Sequence, residues 1–107
     1  MKVLRDLGLA EELAPRLRPH PNGATAMKAM ADAGDPRAIG CTQVTEILIT
    51  PGVELVANLP SGFELATVYT AAVTQRSPSS TLAQALIDEL AAPSRITDRQ
   101  LAGFLPL

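Results

Sequence analysis

The chain has 107 residues, enough for one small domain or for part of a larger one. Hydrophobic residues make up 47% of it, which excludes an intrinsically disordered segment, and the 3% of aromatic residues disfavours base-stacking or sugar-stacking sites. A net charge of −2 argues against a nucleic-acid-binding surface, so no nucleic-acid partner is predicted.

Helical patterns dominate the first third of the chain. Residues 2–7 are predicted to be helical up to Gly8, which can end a helix with a positive φ angle. A helical turn follows over 10–17, and the proline-flanked stretch before the Asn22-Gly23 turn favours extended backbone. The next helix is predicted from Ala24 to Ala33, because small and methionine side chains recur there at helical spacing.

Strands and helices alternate in the remainder. Strands are predicted at 38–42, 53–59 and 65–74, the last of them apolar enough to be buried on both faces. A short helix follows the first strand, and two more helices are predicted near 81–92 and 96–102, separated by Pro93. This order predicts an α/β fold, with a mainly parallel sheet flanked by helices.

Residues suited to metal binding or catalysis are scarce. One cysteine permits neither an internal disulfide nor a cysteine-based zinc site, and one histidine excludes a histidine-rich metal site. Cys41 follows an apolar run and is predicted to be a buried thiol. The only histidine, His20, lies between prolines and is not expected to assist a nucleophile, and no pair of acids suggests acid–base catalysis. The sequence predicts no cofactor, no metal and no enzymatic activity.

The sequence contains no run of about 18 apolar residues, so no membrane span is predicted. The opening MKVLRDLGLAEEL is interrupted by acids and lacks the apolar region of a signal peptide. The expected location is therefore the cytoplasm for the chain as it stands, and the periplasm if it is part of an exported parent protein.

Five segments carry a family resemblance. They are LGLAEELAPRLRP, GATAMKAMADAGDPRAIG, QVTEIL, GVELVANLPSGFELATVYTAAVT and LAGF. In this order they resemble the C-terminal part of a periplasmic substrate-binding protein of ABC transporters. The subclass that they resemble is that of the molybdate-type oxyanion receptors. That family has two α/β lobes around a ligand cleft.

The resemblance implies a partial type II periplasmic-binding-protein-like fold. The whole chain, 1–107, is predicted to be a single α/β unit: 1–50 resembles part of lobe 2, 51–59 the crossover, and 60–107 the return segment of lobe 1. No segment resembles the beginning of the family's first lobe. The chain is therefore expected to be a fragment or a truncated relative, with transporter subunits as partners through a full-length parent.

The first candidate binding segment is Gly23, Ala24 and Thr25, at the start of the helix predicted from Ala24 to Ala33. Small residues let an anion approach the N–H groups of a helix N-terminus, and the threonine adds a hydroxyl donor. The resemblance implies an anion-contacting helix terminus here. The alternative is an ordinary helix start with Asn22 as its cap.

The second candidate segment is Thr42, Gln43 and Thr45, at the predicted carboxyl end of a strand, where open α/β sheets bind ligands. An amide and two hydroxyls can all donate to an oxyanion. The alternative is an N-cap, with Thr42 or Gln43 opening a short helix and Glu46 in its first turn.

The leading interpretation is a noncatalytic module that binds a small molybdate-like oxyanion, or another small ligand, at helix N-termini and neutral donors. One alternative is a truncated lobe that self-associates without ligand, so that the chain, if complete, is a dimer or higher homo-oligomer. Another is the effector-sensing domain of a regulator, which would need a separate DNA-binding domain.

Overall fold

The computed structural model describes residues 2–106, whose regular structure is entirely helical. The helices are α1 (Lys2–Asp6), α2 (Ala10–Leu13), α3 (Gly23–Ala33), α4 (Val44–Leu48), α5 (Ser80–Ala91) and α6 (Ile96–Leu101), with 3₁₀ turns at Ala14–Arg16 and Pro93–Arg95. The chain divides into two compact units, Met1–Glu64 and Leu65–Leu107.

The helical predictions for the first third are confirmed, because the signals that set them are local. Gly8 follows α1 with a φ of 69°. Asn22 caps α3, its side chain accepting the Thr25 N–H at 2.9 Å. Gly34 ends α3 in the left-handed region with a φ of 58°, donating its N–H to the Met30 carbonyl at 3.3 Å. Caps of this kind satisfy backbone groups that a helix leaves unpaired at its ends.

Helix α3 is the packing centre of the first unit, and α4 packs against it. Met27 is 2% exposed, and a side-chain carbon built on Gly40 would meet the sulfur of Met30 at 3.1 Å. One built on Gly52 would meet the Cβ of Ala31 at 3.1 Å. The chain before and after α4 therefore lies directly on α3, with a glycine at each of these two contacts.

The predicted parallel sheet is wrong: residues 2–106 contain no strand. The three segments predicted as strands, at 38–42, 53–59 and 65–74, have irregular backbone instead. A strand needs a neighbour to pair its N–H and C=O groups, and no described segment offers one. Several of their apolar side chains face solvent accordingly, with Ile39 96%, Val56 94% and Leu65 88% exposed. Cys41, predicted to be buried, is exposed for the same reason.

The second unit holds two helices, α5 and α6, joined by the 3₁₀ turn at Pro93–Arg95. Pro93 follows the end of α5 as predicted and opens the 3₁₀ turn that leads into α6. The Arg95 guanidinium donates to Glu89 at 2.7 Å and to Asp98 at 3.2 Å, and these hydrogen bonds, that to Glu89 first, raise the pKa of Arg95 above its ordinary value. Arg99 donates to the carbonyl oxygens of Leu90 and Ala92, at 2.7 and 2.9 Å. Both arginines thus fasten α6 to the end of α5.

Before α5, the chain over 65–79 is irregular, and its Tyr69 ring meets that of Phe104 edge to face at a centroid distance of 5.6 Å. The assignment of 1–50, 51–59 and 60–107 to parts of two lobes stays a prediction. None of the helices in the described part of the chain has the length and apolar character needed to cross a membrane.

Candidate functional site

The two candidate segments meet at the first turn of α3. Gly23 opens that helix, and the space that a side chain would occupy there is filled by the Thr42 hydroxyl and the Glu46 carboxylate. Thr42 donates its hydroxyl hydrogen bond to that same carboxylate. Thr42 and Glu46 follow Gly23 by 19 and 23 positions in the sequence, yet both lie beside it in the structure. Only a glycine at position 23 permits so close an approach.

The N-terminus of α3 supplies backbone donors to this corner. The first N–H groups of an α-helix have no carbonyl partner within it, and they carry the positive end of the helix dipole. Asn22 accepts the N–H of Thr25, and Gly23 is half-buried beneath Thr42 and Glu46. A helix of eleven residues opening on a side-chain-free position suits the approach of a negative group to its backbone.

Ala24 and Thr25 lie on the exposed side of the same turn. They line an open depression of about 420 Å³ on the surface of α3, together with Lys28, Ala29 and Asp32. Lys28 is a nearby cation, but it pairs with Asp32 at 2.8 Å. The depression is thus polar at one edge, without an excess of positive charge.

The predicted setting of Thr42, Gln43 and Thr45 needs correction. No strand ends at Thr42, so these residues do not stand at the carboxyl edge of a sheet. Of the three, it is the Thr42 side chain that reaches the start of α3, where α4 packs on that helix. Thr42 and Thr45 are half-buried and Gln43 is exposed.

The alternative prediction, an N-cap at Thr42 or Gln43, is confirmed for the position of the cap but not for a capping hydrogen bond from its side chain. Gln43 is the N-cap residue of α4, with extended backbone, yet its side chain makes no capping hydrogen bond. The Thr42 hydroxyl is directed to Glu46 instead. Since α4 spans only five residues, its own N-terminus adds little to a binding site.

Glu46 is the residue whose position the sequence did not reveal. Its place in the first turn of α4 suggested an acid that favours the dipole of its own helix. The structure directs its carboxylate to the start of α3 instead, beside Gly23. The one sequence signal for this was a glycine at the first position of α3, which also fitted an ordinary Asn-Gly turn.

Among residues 2–106 no three potential metal-ligating side chains cluster together. The donors that meet at this corner are backbone N–H groups and the Thr42 hydroxyl, and the Glu46 carboxylate lies beside them as an acceptor.

A model of the family described as bacterial extracellular solute-binding protein matches residues 1–96. No curated protein and no solved structure matches the chain. The match spans α1 to α5, including Gly23, Thr42 and Glu46, and it ends where α6 begins. Solute binding, rather than catalysis, is what this family is described as doing. The chain therefore belongs to the bacterial extracellular solute-binding protein family.

Proposed function

We propose that the chain is a noncatalytic binding module that holds a small tetrahedral oxyanion of the molybdate type at the N-terminus of α3. The first turn of that helix, Gly23, Ala24 and Thr25, provides backbone donors. Thr42, Gln43 and Thr45 provide neutral side-chain donors beside it. In a transporter, such a module would deliver its ligand to membrane subunits.

The observation that carries this proposal is the contact between Gly23 and Thr42. Family membership supports a ligand without saying which one, and this contact joins the two segments whose donors suit an oxyanion. An oxyanion needs several donors converging from different parts of the chain, since each hydrogen bond to a charged group contributes only about 1.5–3 kcal/mol. A helix start and a hydroxyl-bearing loop in contact meet that need without a cationic side chain.

Isothermal titration calorimetry with sodium molybdate, tungstate, sulfate and phosphate tests the proposal. We expect at least one of these anions to bind and to raise the melting temperature of the chain. Absence of heat and of any thermal shift with all four would overturn the oxyanion assignment.

Thr45→Val sharpens that test, because it removes a hydroxyl donor while keeping the shape of a half-buried side chain. We expect it to weaken anion binding about tenfold, the loss of one hydrogen bond to a charged group. Thr81→Val makes the same atomic change on α5, in the other unit, and should leave the affinity unchanged. Equal affinities for the two variants would remove Thr45 from the site.

The alternative of self-association is favoured by a separate observation, the exposed face of α5. Leu82, Leu86 and Leu90 recur every four residues and are 59–71% exposed. An apolar stripe of this spacing is typical of a helix that packs against another helix. Sedimentation velocity over a hundredfold range of concentration tests it, and a single monomeric species throughout would contradict it.

A further inference from the structure

We infer that Glu46 is an internal competitor for the oxyanion site: its carboxylate lies against the start of α3, and an incoming anion must displace it. This inference rests on the proposed function, since it concerns the regulation of that site. Glu46 is the acid that reaches Gly23, and the Thr42 hydroxyl that donates to it is one of the donors an oxyanion would use.

The steric part of the argument comes from Gly23. A Cβ atom there would overlap the Thr42 hydroxyl and the Glu46 carboxylate, and would stand 2.7 Å from the carboxyl carbon itself. The carboxyl group therefore lies against the backbone of the first helical turn, where an external anion would seek the same surface. Both cannot occupy it together.

The electrostatic part of the argument comes from the negative charge of Glu46 at the N-terminus of α3. A carboxylate at a helix N-terminus is stabilised by the helix dipole, as an external oxyanion would be. It also repels a second anion, and the Lys28 charge nearby is already balanced by Asp32. Thr42 holds Glu46 in this position, so the site favours anions able to compete for that hydroxyl.

Glu46→Gln tests the inference, because glutamine keeps the size of the side chain and can still accept the Thr42 hydrogen bond while losing the charge. We expect the dissociation constant for molybdate, measured calorimetrically, to fall about five- to tenfold in Glu46→Gln and at least as far in Glu46→Ala, which also clears the space. Glu54→Gln makes the same change in net charge on the exposed chain beyond α4 and should bind as the wild type does. Far-UV circular dichroism and the melting temperature verify that each variant folds.

The outcomes separate the inference from the proposed function. Binding by Glu46→Gln alone, or tighter binding than by the wild type, supports the competitor role. Binding by the wild type with equal or weaker binding by both Glu46 variants overturns the competitor role and leaves the oxyanion site standing. No binding by any variant overturns both. An equal gain in Glu54→Gln also overturns the competitor role, because net charge alone would then explain the effect.

Discussion

Gly23 is the single residue on which the geometry of the candidate site most depends. Its missing side chain lets Thr42 and Glu46 lie against the first turn of α3. Alanine is ordinarily better than glycine in a helix by up to about 1 kcal/mol, so a helix-propensity argument alone predicts that Gly23→Ala stabilises the chain. The crowding around position 23 predicts the opposite.

We expect Gly23→Ala to lower the free energy of unfolding by about 1–2 kcal/mol, because the added methyl group forces a short threonine side chain and a carboxylate out of place. Urea denaturation followed by circular dichroism measures this. Repeating the substitution in a Thr42→Ala, Glu46→Ala background is the matched control, since the methyl group then has room. A cost that persists in that background would show that the crowding is not its cause.

At the scale of elements, the sequence predicted helices well and strands wrongly, for a physical reason. Helix boundaries depend on nearby residues: Asn22 and Gly34 bound α3, and Pro93 bounds α5. The pattern at 65–74 carries the β-branched and apolar residues of a buried strand, but a strand also requires a partner far along the chain. No local pattern contains that partner, and the described chain does not supply it.

In the candidate site, too, the features set by nearby residues were predictable from the sequence, and the contacts between distant residues were not. The capped start of α3 was predictable from Asn22 and the small residues after it. That Thr42 and Glu46 would lie against Gly23 was not, because the contact depends on how α4 packs on α3. Sequence spacing places Glu46 on its own helix and says nothing of the helix that its carboxylate reaches.

The junction of α5 and α6 offers a test at this scale through Arg99, which donates to two carbonyl oxygens at the end of α5. Arg99→Ala should weaken that end by about 1 kcal/mol, the usual contribution of such hydrogen bonds. Hydrogen exchange read by mass spectrometry should then run about fivefold faster in the last turn of α5 and in α6. Arg76→Ala, in the exposed loop before α5, is the control. Unchanged exchange in the Arg99 variant would exclude the capping role.

At the scale of the whole molecule, hydrophobic residues make up 47% of the chain, yet Met27 is the only side chain of the core that is fully buried in residues 2–106. A folded domain of this size usually removes more than half of its unfolded surface from water. Within the second unit, the described residues include no buried one at all. Much apolar surface is therefore left available for contacts beyond the described residues.

The stripe of Leu82, Leu86 and Leu90 is where we expect such a contact, with α5 of one chain packing on α5 of a second copy. Leu86 lies at its centre, so Leu86→Gln should remove about 1.5 kcal/mol of apolar burial from each chain and raise the dimer dissociation constant about 100-fold. Leu105→Gln changes an equally apolar exposed residue beyond α6 and should leave association unchanged. Sedimentation equilibrium measures both constants. Equal weakening by the two substitutions would point to nonspecific hydrophobic association, because pairing of α5 with α5 depends on position 86 and not on position 105.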